Sequence, residues 1–233
     1  MVNISNYETY LLVSSKKLII SVNSDLKKRI YHEEVILESH FFLKNPEKLE
    51  FFLNQNIFKI EKKFQNFIEK IIIILDLDIF FPLEISVKKD NHNNYLNLQS
   101  LKHLLYEAKD CCKKTIDKKR VIHMLIKNYN VNGKNYSTFP NNINCNNYSL
   151  GLEFICISDD IIKSLEAILK KYHISLNRIL SANYVQQFFS PDDYNIFSIS
   201  KKIIDGLNPN EVILLEKTDK NKGFFEKFFN FFS

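Results

Sequence analysis

Apolar and polar positions along the chain separate strands from helices. Residues 9 to 22 hold two short apolar runs around the polar stretch Ser14 to Lys17, which predicts two strands joined by a turn. Tyr31 to Leu37 predicts a third strand. Pro46 suits the first turn of a helix, with Asn45 as its cap. From there to about Glu69, the residues Leu49, Phe52, Leu53, Ile57, Ile60, Phe64, Phe67 and Ile68 recur mostly at helical spacing, with a break expected near Asn54 to Asn56. Ile71 to Leu75 is short and β-branched, which predicts a buried strand.

Leu83, Ile85 and Val87 alternate with Glu84, Ser86 and Lys88, the pattern of a half-buried strand. Leu98 to Ile116 predicts an amphipathic helix with Leu101, Leu104, Leu105, Ala108 and Cys112 on one face. Val121 to Val131 reads as a strand, and an Asn-rich loop is expected after it, with nine Asn between Asn128 and Asn147. Leu150 to Ile157 alternates again. Ser158 or Asp159 is placed to cap a helix whose inward residues are Ile161, Ile162, Leu165, Ile168 and Leu169. Ile174 to Val185 is expected to hold another strand. From residue 83 onward the order is strand, helix, strand, strand, helix, strand, which argues an α+β sandwich with helices on one face of a sheet.

Composition narrows the chemistry. The 233 residues contain only four glycines (Gly133, Gly151, Gly206 and Gly223), none close to another. Phosphate-cradling loops need clustered glycines so that the backbone can approach the phosphates, so Walker, Rossmann and kinase-type nucleotide sites are not expected. The net charge of +5 is a mild excess that suits an anionic membrane surface as well as it suits nucleic acid. Cys111, Cys112, Cys145 and Cys156 have no metal-type spacing and no disulfide-framework density, which fits a reducing compartment. On a helix, one of the adjacent pair Cys111-Cys112 points inward and the other outward. His32-Glu33-Glu34 begins like a zinc-protease helix but lacks the second His. Asp76 and Asp78 follow the buried strand as a carboxylate pair with no phosphate loop beside them, so they read as solvated residues. No catalytic constellation emerges, and neither an enzyme nor a bound cofactor or metal is expected. The opening Met1-Val2-Asn3-Ile4-Ser5 lacks a basic region followed by an apolar run, so no secretory signal is expected.

The end of the chain carries its own pattern. Lys217 to Lys222 is polar and charged, the composition of a linker. After Gly223 a helix would place Phe224, Phe225, Phe228, Phe229, Phe231 and Phe232 on one side, with Glu226, Lys227, Asn230 and Ser233 on the other. This stretch is too short to span a bilayer, and it fits an in-plane anchor whose rings sit at the acyl boundary, with Lys227 toward the headgroups. The alternative is a terminal helix docked on the protein's own core.

The run Val121-Ile122-His123-Met124-Leu125-Ile126-Lys127-Asn128-Tyr129-Asn130-Val131-Asn132 is followed by Pro140, by Leu150-Gly151-Leu152-Glu153, and by Tyr172-His173-Ile174-Ser175-Leu176-Asn177-Arg178-Ile179. This block resembles the bacterial cell-division family FtsA, in the strand-helix-strand-strand subdomain that sets that family apart among actin-like proteins. The tail is similar to the family's membrane-targeting helix. In place of the family's opening phosphate loop, Asp-x-Gly-Ser/Thr-Ser/Thr-Lys, this chain has Leu11-Leu12-Val13-Ser14-Ser15-Lys16, without the Asp and the Gly. The resemblance implies an α+β fold: a degenerate actin-like half-domain plus the FtsA-type module and a C-terminal amphipathic helix. It divides the chain into an actin-like remnant (1–82), the module (83–189), a short remnant (190–216), and the linker with its anchor (217–233). It implies a non-catalytic adaptor without ATP binding, on the cytoplasmic face of the inner membrane at midcell. The implied partners are anionic inner-membrane lipid and other cell-division proteins, such as FtsZ or late division proteins, with self-association open and no nucleic acid. The rival reading is a soluble, basic α+β nucleic-acid-binding protein.

Overall fold

The structure is a computed structural model and describes residues 7–24, 29–37 and 46–213. In chain order the elements are β1 (Tyr7–Ser14), β2 (Lys17–Ser24), β3 (Arg29–Ile36), α1 (Pro46–Phe64), β4 (Lys70–Asp76), β5 (Phe81–Tyr95), α2 (Leu98–Thr115), β6 (Lys119–Val131), β7 (Lys134–Tyr136), β8 (Asn144–Ser158), α3 (Asp159–Lys170), β9 (Ser175–Ser181), α4 (Ala182–Gln186) and α5 (Ile196–Ile204). They form a five-stranded sheet of order β3-β2-β1-β4-β9 and a four-stranded sheet of order β5-β8-β6-β7. In the first sheet the meander β1 to β3 is antiparallel, while β4 runs parallel to both β1 and β9.

Both faces of the first sheet are covered, which explains the near-continuous apolar runs of β1, β2 and β4. Leu11, Val13, Ile20, Ile71, Ile73 and Leu75 pack with α1 and α3, whereas Tyr10, Leu12, Ile19, Ile72 and Ile74 pack with α4 and α5. Helices on one face only, as the alternation suggested, is therefore true of the second sheet but not of the first. In the second sheet β8 is central, and Leu150, Leu152, Phe154 and Cys156 share a core with Leu101, Leu104, Leu105, Ala108 and Cys112 of α2. Cys112 is buried and Cys111 exposed, as the helical reading expects.

Two local expectations are corrected. Helix α1 is unbroken, because the buried Asn56 amide donates from Nδ2 to the Phe52 carbonyl (2.8 Å) and its Oδ1 accepts from the Tyr31 hydroxyl (2.8 Å). A polar residue inside a helix is tolerated when its groups are satisfied. The run Ile174 to Val185 does hold a strand, β9, and turns into α4 at Ala182. The Asn-rich stretch is largely ordered as strand. Asn132 (φ 50°) and Gly133 (φ 83°) form a two-residue hairpin turn between β6 and β7, and β8 starts at Asn144. Both central residues of such a turn need positive φ, which Asn and Gly supply.

Candidate functional site

Two irregularities bring chemistry to the junction of the sheets. A register shift between Val121 and His123 in β6 turns the His123 ring toward the first sheet. A shift in β9, where Ile71 faces Leu176 but Ile72 faces Arg178, brings Arg178 to the same place. After α5 the chain returns as a strap. Ile126 N–H donates to the Asn210 carbonyl (2.9 Å) and Val212 N–H to the Met124 carbonyl (2.8 Å), so the strap lies along the outer edge of β6.

Glu211 on this strap is the hub. His123 Nε2 accepts from Ser181 N–H (3.2 Å), which leaves the Nδ1 proton to face Glu211 Oε1 at 2.8 Å. This assignment makes His123 neutral with its proton on Nδ1. Arg178 Nη2 donates to Glu211 Oε1 (2.6 Å), the Tyr184 hydroxyl donates to Oε2 (2.9 Å), and Asn208 Nδ2 donates to the Tyr184 oxygen (2.9 Å). The His123 and Tyr184 rings sit 4.4 Å apart. Burial pushes the His123 imidazole below its ordinary value, with the Arg178 charge in the same sense and Glu211 opposing. Burial alone would raise the Glu211 carboxyl, but His123, Arg178 and the Tyr184 hydroxyl hold it below the usual carboxylate range. Both ring nitrogens of His123 are engaged, so the cluster works as a staple joining β6, β9, α4 and the strap. It has no free base for proton transfer.

Beside the staple lies a cavity of about 440 Å³. Its apolar lining is Ile116, Val121, Ile122, Met124, Phe154, Val212 and Ile213, and its charged rim comes from α2, β6, β9 and the strap. From Lys119 to His123 the outer edge of β6 has no strand partner among the described residues.

Other sequence candidates are scattered. Asp76 and Asp78 are exposed at the end of β4, and His32-Glu33-Glu34 lies on the edge strand β3 rather than on a helix. Ser14 Oγ accepts from Lys16 N–H (3.2 Å) and Lys17 N–H (3.0 Å), so the hairpin's own serine takes up two amides that a phosphate loop would offer. Among the described residues no group of three or more His, Cys, Asp or Glu is placed to hold a metal. Phe224, Phe225, Lys227, Phe228, Phe229, Phe231 and Phe232 lie outside the described residues. Sequence reasoning gave no role to Arg178, Tyr184 or Glu211. The one available hint was His123 inside the apolar run Val121 to Ile126.

No protein-family model matches the sequence, and no curated protein matches it significantly. Solved structures do show likeness. A chain of the "PilM-PilN type IV pilus biogenesis complex" aligns with a TM-score of 0.51 at 8% identity, over 78% of this chain and 49% of that one. The cytoplasmic domain of EpsL, an inner-membrane component of the type II secretion system of Vibrio cholerae, aligns at 0.34 with 12% identity, over 80% of this chain and 59% of that one. A Bacteroides thetaiotaomicron protein described as having an actin-like ATPase fold and unknown function aligns at 0.32 with 13% identity, over 81% and 58%. The chain thus spans about half the length of the pilus-complex chain it matches (49%). What the first likeness shares is the fold, in agreement with a coarse α+β architecture. It does not single out the cell-division family. No helix among the described residues is long and apolar enough to cross a membrane.

Proposed function

We propose that this chain is a non-catalytic, membrane-associated adaptor of the bacterial cell-division machinery, a reduced FtsA-like protein. The observation that carries the adaptor reading is the open edge of β6 above an apolar floor, continuous with the edge the strap already occupies. An unpaired strand edge is a template for an extended peptide, whose backbone adds to the ladder while its side chains enter the groove. The occupant is an extended segment of a partner protein. The pilus chain of the same fold is solved together with PilN, which supports a protein partner for this chain as well.

Residues 83–189 contact the partner, residues 1–82 and 190–216 are the actin-like remnant that packs the core, and residues 217–233 are linker and anchor. The partners are other division proteins, FtsZ or late ones, together with anionic inner-membrane lipid, and the site of action is midcell. The absence of catalysis and of ATP binding is supported by the β1–β2 hairpin, which has no glycine and whose amides at Lys16 and Lys17 are held by Ser14. Calorimetry with Mg-ATP is expected to show no binding heat; a saturable heat would reverse this part of the reading.

The test is the position of the full tagged chain in dividing bacterial cells. The wild type is expected at midcell. The variant Phe228→Glu/Phe229→Glu is expected in the cytosol, because two charges on the ring face oppose insertion at the acyl boundary. A wild type spread evenly over the membrane defeats the division role, and a cytosolic wild type defeats the anchor.

A further inference from the structure

The last described residue, Ile213, lines the mouth of the groove beside β6. Five cations line this mouth (Lys109 and Lys113 on α2, Lys119 and Arg120 on β6, Arg178 on β9) against one acid, Glu211. Two of the five are matched. Arg178 meets Glu211 at 2.6 Å, and Arg120 holds Asp159 and, at 3.1 Å, Glu166. Lys109, Lys113 and Lys119 make no ion pair with any described residue; Lys119 Nζ lies 4.8 Å from the Phe81 ring centroid, a contact that keeps its charge. Lysines in the last turn of a helix complement its dipole, which accounts for Lys113 but not for Lys109 or Lys119. The far edge of the first sheet is different. There the groove between α1 and β3 is lined by Glu33, Glu34 and Glu47 against Lys48 and Lys59. The cationic mouth therefore lies where the chain runs on toward its tail, and the acidic groove lies at the opposite end of the sheet order.

We infer that the face bearing Lys109, Lys113 and Lys119 is turned toward an anionic bilayer and acts with the tail as a second membrane contact; this rests on the membrane reading proposed above. A short amphipathic tail alone gives reversible binding, and stable attachment takes two signals, one of which can be a basic patch. Each lysine near an anionic surface contributes about fivefold in affinity, and the attraction falls off within a Debye length of roughly 8–10 Å.

The experiment is co-sedimentation of the full chain with vesicles of phosphatidylcholine, with and without phosphatidylglycerol, at low salt. Lys109→Gln/Lys113→Gln/Lys119→Gln is expected to weaken binding to the anionic vesicles by roughly a hundredfold, the product of three such factors. Lys48→Gln/Lys59→Gln removes two charges from the far side, is set against the pair Lys109→Gln/Lys113→Gln, and is expected to leave binding unchanged. If the first triple variant does not fold by thermal melting, the exposed-helix pair Lys109→Gln/Lys113→Gln replaces it, with an expected loss of about 25-fold. Equal losses from both faces reduce the effect to net charge and overturn the orientation. So does an unchanged rim variant, or equal wild-type binding to neutral and anionic vesicles. A wild type that binds neither vesicle overturns the membrane reading itself, a different failure from that of the rim.

Discussion

Replacing Glu211 by alanine is expected to lower the unfolding free energy by about 3–5 kcal/mol, read as a lower urea midpoint. Glu211 is 5% exposed and answers a buried imidazole, a guanidinium and a phenol at once. Removing it leaves the Arg178 charge, the His123 N–H and the Tyr184 hydroxyl without their acceptor, and an unmet buried group costs far more than the pair contributes when intact. The surface pair Lys17–Glu34, with side chains 41% and 37% exposed, is the control. Lys17→Ala is expected to change stability by less than about 1 kcal/mol. A Glu211→Ala effect no larger than the control's would mean that the staple is idle.

Acidification is expected to destabilise the fold through the same cluster. The His123 imidazole is held below its ordinary value of 6.5 by burial first and the Arg178 charge next, against the pull of Glu211. Below that value the unfolded chain binds a proton that the folded chain refuses. Stability is therefore full above about pH 6.5 and falls with a slope of up to about 1.4 kcal/mol per pH unit until the folded value is reached. Glu211 is shifted the same way from its ordinary 4.5, so its contribution is present above that value and is lost as pH falls through the folded one. Both groups weaken the fold on the acid side, in two successive windows. Asp159 and Asp193, also shifted down, act only below their ordinary 3.8, whereas His32, held below 6.5 by burial first and the Arg29 charge next, shares the first window with His123. Urea midpoints measured between about pH 7 and pH 5 are expected to fall in the wild type and to fall less steeply in His123→Gln, where only the His32 share remains. A flat wild-type profile over that range excludes a neutral buried His123.

The local elements were legible because each rests on a short-range pattern. Ile71 to Leu75 announced β4 by β-branching, and Leu101, Leu104, Leu105, Ala108 and Cys112 announced the buried face of α2. Asn132-Gly133 was legible in principle as a hairpin turn, but the surrounding asparagines suggested a loop. The continuity of α1 through Asn56 was not legible, because it depends on a hydroxyl from Tyr31 on another element. The staple was illegible for the same reason on a larger scale. His123 and Glu211 are 88 residues apart, and only the two register shifts and the returning strap bring them within 2.8 Å. Composition excluded a glycine-built phosphate site but gave no indication that the junction would hold a groove.

The pairing of β4 with β9 governs how the molecule assembles. The ladder from Lys70–Ser175 to Leu75–Ser181 closes only after the entire second sheet and α3 have been threaded between its strands, a span of roughly a hundred residues. Contacts of such long sequence separation form late and slowly. Until then the isoleucine-rich β4 presents an unfinished border to solvent, where another nascent copy can pair by mistake. Yield on refolding should therefore depend on protein concentration, with the second sheet setting the pace at which that border is sealed.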